Sequence, residues 1–192
     1  AFGLAERGQG AVAQPEQAAT DQARPQASLG ILVECRHRVG SQSLRQGGIA
    51  VTALHSHMLE TKTQMVMAGT RHRDGFTGYL AELGLLGDKS SLAHFVWASD
   101  RDIEIVRDAG ATVVHAPASN LFTGAGIAPV QKLRRAGIPV AIASDGVNTG
   151  NMLMLEKTRL AVMLARSTEP DYEKWFDAGD ALEMATVNGA RA

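Results

Sequence analysis

Leu54-His55-Ser56-His57-Met58-Leu59-Glu60-Thr61 closes an apolar run with two imidazoles and a carboxylate. Read as the end of a strand over Gly48–His57, it places Val51, Ala53, His55 and His57 on one face by alternation. Glu60 comes three residues after His57. It can join that face only if the strand stops near Met58 and the chain turns. Two histidines two apart on a strand are, taken alone, more often structural or simply exposed. The rest of the chain decides between the readings.

Downstream the texture is regular. Helices are expected from Thr61 to Ala68 and from Phe76 to Leu86, the second with Phe76, Leu80 and Leu83 at helical spacing. A second strand is expected over Ser91–Val96. Ser99 and Asp102 form a capping pair that opens a helix over Arg101–Ala109, and Gly110 stops it. A third strand covers Ala111–His115. A helix over Pro129–Ala136 ends at Gly137, and a fourth strand over Ile138–Ser144 runs into Asp145-Gly146. Met152–Arg166 and Ala178–Ala190 read as helices.

Strands alternating with helices across short connections imply an α/β fold with a parallel sheet and right-handed crossovers. Only about four such units fit, whereas a closed eight-stranded barrel takes ~250 residues. The expected fold is therefore a partial TIM-type (β/α) barrel. Four strands cannot close, and unpaired edges are a route to self-association, so a homo-oligomer falls within the expectation.

Composition bounds the function. The 192 residues, 45% hydrophobic, can bury one sizeable core. A net charge of −1 without basic clusters leaves no footprint for nucleic acid. No apolar run approaches the ~20 residues of a membrane span. Cys35 stands alone, which rules out an internal disulfide. With no secretory leader after Ala1-Phe2-Gly3, a cytoplasmic protein is expected. Residues 1–47 are expected to be poorly ordered or divergent, with Leu29–Cys35 as a short strand and Gly40–Gly48 as a loop, and residues 48–192 form the strand–helix domain. His37, between Arg36 and Arg38, reads as solvated, and His72 sits in a polar loop.

The polar residues at the strand ends matter together. His57, His94, His115 and Asp145 each stand at or near the C-terminal end of a different expected strand, and in this architecture those ends converge on one mouth. A histidine closing a strand, with an acid on the next loop, is how such a barrel builds a metal site. Imidazole and carboxylate donors suit one divalent metal, zinc before iron, and no thiolate competes for it. Water on such a metal titrates near neutrality, and a carboxylate beside it can take up and deliver the proton.

The motifs His57-Met58-Leu59-Glu60-Thr61, Ser91-Leu92-Ala93-His94, His115-Ala116-Pro117-Ala118-Ser119-Asn120-Leu121, Gly126-Ile127-Ala128-Pro129-Val130 and Ser144-Asp145-Gly146 resemble the amidohydrolase superfamily. The ending Met184-Ala185-Thr186-Val187-Asn188-Gly189-Ala190-Arg191-Ala192 fits the same pattern, so the resemblance covers roughly residues 48 to 192. It is closest to the metal-dependent aminohydrolase and chlorohydrolase branch, which includes guanine, adenosine-derivative and triazine hydrolases. The resemblance implies that the strands are the fifth to eighth of the barrel. It implies His57 as the fifth-strand metal ligand and Asp145 as the eighth-strand ligand. Glu60 would shuttle the proton, and His94 would polarise the attacking water or the leaving group or add a metal contact. Ser119 and Asn120, on the loop after the third strand read here, would shape the substrate pocket together with His115. For His115 a structural role is an equal alternative, and His55 is expected in the core or behind the site.

The departures are informative. The family's first-strand His-x-His pair has no counterpart here, because the acid after His55-Ser56-His57 and the downstream spacing assign that pair to strand five. Residues 1–47 do not follow the family's pattern, and the loop at Asn148-Thr149-Gly150-Asn151 is short. An incomplete copy is expected. The leading functional expectation is hydrolytic deamination of a small-molecule N-heterocycle by metal-activated water. The alternatives are loss of halide or a substituted amine from a triazine-like ring, and an inactive fragment of such an enzyme. A nucleotide-binding fold is set aside because Gly124-Ala125-Gly126 lacks the third glycine and the acidic partner of a phosphate loop.

Overall fold

The computed structural model describes residues 53–192. The expectations for residues 1–47, and for the first strand before Ala53, lie outside the described residues. Four parallel strands lie in the order of the chain: β1 Leu54–Met58, β2 Ser90–His94, β3 Thr112–His115 and β4 Val140–Ile142. Between β1 and β2 run α1 Lys62–Arg71 and α2 Gly75–Glu82. Helix α3 Asp100–Ala109 links β2 to β3, and α4 Pro117–Phe122 with α5 Val130–Arg135 link β3 to β4. After β4 come α6 Met154–Thr168, α7 Ala178–Ala185 and α8 Val187–Arg191. This is the expected α/β arrangement, a four-strand sector of a (β/α) barrel.

The strand register brings the C-terminal ends together. His57 lies opposite Ala93, Met58 opposite His94, Ala93 opposite Val114, and His115 opposite Ile142. Covered on both faces, β2 is buried along its whole length, as parallel strands flanked by helices generally are. Leu92, Phe95, Val106, Val113 and Leu133 are wholly buried between sheet and helices, each such side chain contributing about 1.5–3 kcal/mol through burial. Helix starts are capped by side chains: Thr61 with Gln64 for α1, Ser99 with Asp102 for α3, and Asp177 with Asp180 for α7. Gly110 ends α3 at φ 74°, a left-handed conformation that glycine adopts without steric cost.

Two local expectations give way. Ser119 and Asn120 sit on α4, not on a loop; Pro117 opens that helix at the position where its missing N–H costs nothing. The helix expected over Ala178–Ala190 breaks at Thr186, whose backbone turns to φ −130° and ψ −79°. His72 lies in the connection between α1 and α2, as expected, with its ring stacked on Tyr79 at 3.9 Å between centroids. No helix among the described residues is long and apolar enough to cross a membrane.

Candidate active site

The strand ends are held in backbone conformations that side chains normally avoid. Leu59, His94, Phe95 and Asp145 have φ values of 50°, 72°, 50° and 61°, and no other non-glycine residue among the described ones has positive φ. Each such position costs on the order of 1–3 kcal/mol and persists only when its surroundings over-determine it. The surroundings here do so. Phe95 N–H donates to Met58 C=O at 3.0 Å, and Trp97 N–H to Leu59 C=O at 2.9 Å. The exits of β1 and β2 are thereby fastened to each other.

That fastening brings side chains together. His57 Nδ1 lies 3.1 Å from His94 Nε2, with ring centroids 4.6 Å apart. Glu60 Oε2 stands 3.5 Å from His57 Nδ1 and 3.8 Å from His94 Nε2. The turn expected after Met58 is what delivers Glu60: its N–H donates to Gln64 Oε1 at 2.7 Å, so the start of α1 fixes the carboxylate beside the histidines. His57 is exposed, Glu60 half-buried and His94 buried. One donor atom from each lies within 4.8 Å of the others, a set compatible with a metal ion. Two imidazole nitrogens and a carboxylate oxygen suit a borderline cation such as zinc or iron, so the residues present fit the expected metal.

Asp145 stands outside that tight group. It lies exposed just past β4, and its carboxyl is held below the usual carboxylate range by hydrogen bonding from the Ser119 side chain, then from the Gly146 backbone. His94 and His57 lower it further, which places Asp145 within the field of the same two histidines. The residues expected to touch substrate are buried: Ser119, Asn120 and His115 are 2%, 1% and 1% exposed. Asn120 Oδ1 lies 2.8 Å from His94 Nδ1. Both ring nitrogens of His115 lack partners among the described residues, and burial, then the charge of His94, lowers its pKa to about 4. His55 is exposed rather than in the core, with Nδ1 2.7 Å from Ser91 Oγ. Alternation leaves His55 on the face of His57, while Leu54 and Met58 turn toward the core.

The contact of Asn120 with His94 was beyond sequence reasoning, since 26 residues separate the pair and a helix too short to show periodicity carries one of them. A cavity of about 400 Å³ lies elsewhere, at the N-terminal end of β4, lined by Arg134, Arg135, Pro139 and Lys174 among others. Those cations are already paired, with Asp180, Glu169 and Asp171. It holds none of the strand-end residues.

Residues 50–192 match the amidohydrolase family. The chain is 35% identical over 152 residues to the 5'-deoxyadenosine deaminase of Methanosarcina mazei, an alignment covering 79% of this chain and 34% of that relative. The fold is similar to that of an adenosine deaminase from Xanthomonas campestris with bound zinc, with a TM-score of 0.68 at 30% identity, covering 73% of this chain and 32% of that one. It is also similar to atrazine chlorohydrolase from Arthrobacter aurescens complexed with zinc, with a TM-score of 0.66 at 32% identity, covering 72% and 31%. The chain thus spans about a third of the length of the curated relatives it matches.

Proposed function

The chain belongs to the amidohydrolase family, and from that premise we propose that its strand-end site serves hydrolytic deamination of an aminated N-heterocycle, with an adenosine-type nucleoside as the first substrate class. The observation that carries this reading is the convergence of His57 Nδ1, Glu60 Oε2 and His94 Nε2 at the mouth of the parallel sheet. The deaminase relatives support the substrate class.

His57 and His94 would hold one divalent metal, zinc before iron, with Asp145, just past β4, adding a third contact. Bound there, the metal supplies Lewis-acid activation of water. Glu60 is the proton carrier: its carboxylate takes the proton from the attacking water and returns it to the leaving amine. Half-buried and close to both imidazoles, it is shielded enough to stay in place and open enough to meet a substrate. His94, buried and held at Nδ1 by Asn120, presents Nε2 at the reacting centre. Ser119, Asn120 and His115 support the site from beneath.

A second reading, loss of halide or a substituted amine from a triazine-like ring, is favoured by the similarity to atrazine chlorohydrolase. One experiment separates the two. The zinc-loaded protein is incubated with adenosine, 5'-deoxyadenosine, guanine, an aminated pyrimidine and a chlorinated triazine, and ammonia and chloride are measured. Ammonia from the purines, abolished by chelation and by Glu60→Gln, is the expected result. Chloride release alone would favour the second reading; no product from this chain alone is the result expected of an inactive fragment, and no product from a longer zinc-loaded polypeptide that carries it would overturn both.

A further inference from the structure

Asn120 is 1% exposed, on a helix whose ends hold its backbone in place. Its N–H donates to Ala116 C=O at 3.0 Å, and its own C=O accepts from Ala125 N–H at 2.8 Å. What its side chain does follows from elementary chemistry. A carboxamide oxygen only accepts, so the 2.8 Å contact of Oδ1 with His94 Nδ1 requires the hydrogen to be on Nδ1. A neutral imidazole has one N–H. Nε2 is then a bare lone pair, and Nε2 is the atom that faces His57 Nδ1 at 3.1 Å and Glu60 Oε2 at 3.8 Å.

We infer that Asn120 is a positioning residue that locks His94 in its Nδ1–H tautomer, leaving the Nε2 lone pair aimed at the His57–Glu60 centre. In the other tautomer two acceptors would face each other in a buried space, and Nε2–H would point a proton where a cation or a proton donor must go. A second observation separates this role from packing. Asn120 Nδ2 is buried without a partner among the described residues, so the amide is poorly satisfied on its own account. An apolar side chain of similar volume would avoid that cost. The bond from His94 to Oδ1 is what distinguishes asparagine here.

The inference rests on the role proposed above for His94, yet its test reads the ring directly and requires no turnover. The full chain is labelled with ¹⁵N-histidine and studied at about pH 8, where an ordinary imidazole is neutral. His94 is expected to show a protonated Nδ1 and an unprotonated Nε2. Asn120→Leu should redistribute the proton toward Nε2 and weaken binding of zinc alone by about 10–100-fold, the usual effect of removing a partner that orients a metal ligand. Asn120→Asp, which still accepts from Nδ1, should keep both the tautomer and the zinc affinity. A proton found on Nε2 in the unsubstituted protein overturns the inference. So does an Asn120→Leu variant that retains the Nδ1–H form, whatever happens to its zinc affinity. Should Asn120→Leu fail to fold, the unsubstituted protein and Asn120→Asp decide the question by the same readings.

Discussion

His94 Nε2 and His57 Nδ1 face each other at 3.1 Å across the exits of two neighbouring strands, with the Glu60 carboxylate within 3.8 Å of both. The two nitrogens can share a single hydrogen, or both can turn their lone pairs to a cation. Zinc should therefore stabilise the fold. At a concentration a hundredfold above its dissociation constant, the gain is about 2.7 kcal/mol, read as a rise of several degrees in the melting temperature. His57→Ala and His94→Ala should each remove that rise. An equal rise in the variants would place the metal elsewhere.

Glu60 tests the division of labour. Because its carboxylate is proposed to move protons rather than to hold the metal, Glu60→Gln should lower turnover by ~10²–10⁴-fold while leaving zinc content nearly unchanged. The measurement is paired metal analysis and ammonia release, on this chain and on any longer polypeptide that carries it. Zinc lost along with turnover would make Glu60 a ligand, as its closeness to both imidazoles permits. Asp145→Asn should behave oppositely, losing zinc first.

His115 predicts a pH dependence of stability. Its pKa falls from 6.5 to about 4 in the folded protein, through burial first and the charge of His94 second. Between those values the unfolded chain binds a proton that the folded chain does not. The stabilisation is fully present above the unfolded pKa and is lost as pH falls toward the folded one. From pH 7 to pH 5 the loss is about 2 kcal/mol, seen as a drop in the urea midpoint. His115→Leu should flatten that drop; an unchanged slope would show that other groups cause it.

Asp102 anchors the return from β2. Its carboxylate accepts from Ser99 N–H at 2.8 Å and from the hydroxyls of Ser99 and Thr77, and the residue is buried. Asp102→Ala leaves a buried hydroxyl and a cap N–H unsatisfied, and should destabilise the protein by about 2–4 kcal/mol. Urea denaturation measures it. A change below about 0.5 kcal/mol, the range of ordinary surface substitutions, would show that the network carries little.

Much of this architecture was legible in the sequence, for physical reasons. Alternating apolar runs, the Ser99–Asp102 capping pair and Gly110 are local signals, and each stands in the structure where local chemistry requires it. The turn that brings Glu60 to His57 was also readable, because an acid three residues past a strand end can reach back only if the chain turns. What escaped depends on contacts between distant residues. Asn120 meets His94 through the tertiary fold, and α4 is six residues long, too short to display a helical period. Thr186 breaks the last helix without a glycine or proline to announce it. The burial of Ser119, Asn120 and His115 likewise follows from what packs over them.

The central claim is that the exits of β1 and β2 form one metal centre. Anomalous scattering at the zinc edge from crystals grown with zinc tests it most directly. The account predicts a single strong peak held by His57 Nδ1, His94 Nε2 and the Asp145 carboxylate, with Glu60 Oε2 beside it rather than bound to it, and no peak there in His57→Ala crystals. A peak bound away from these residues, or none at saturating zinc, would contradict it.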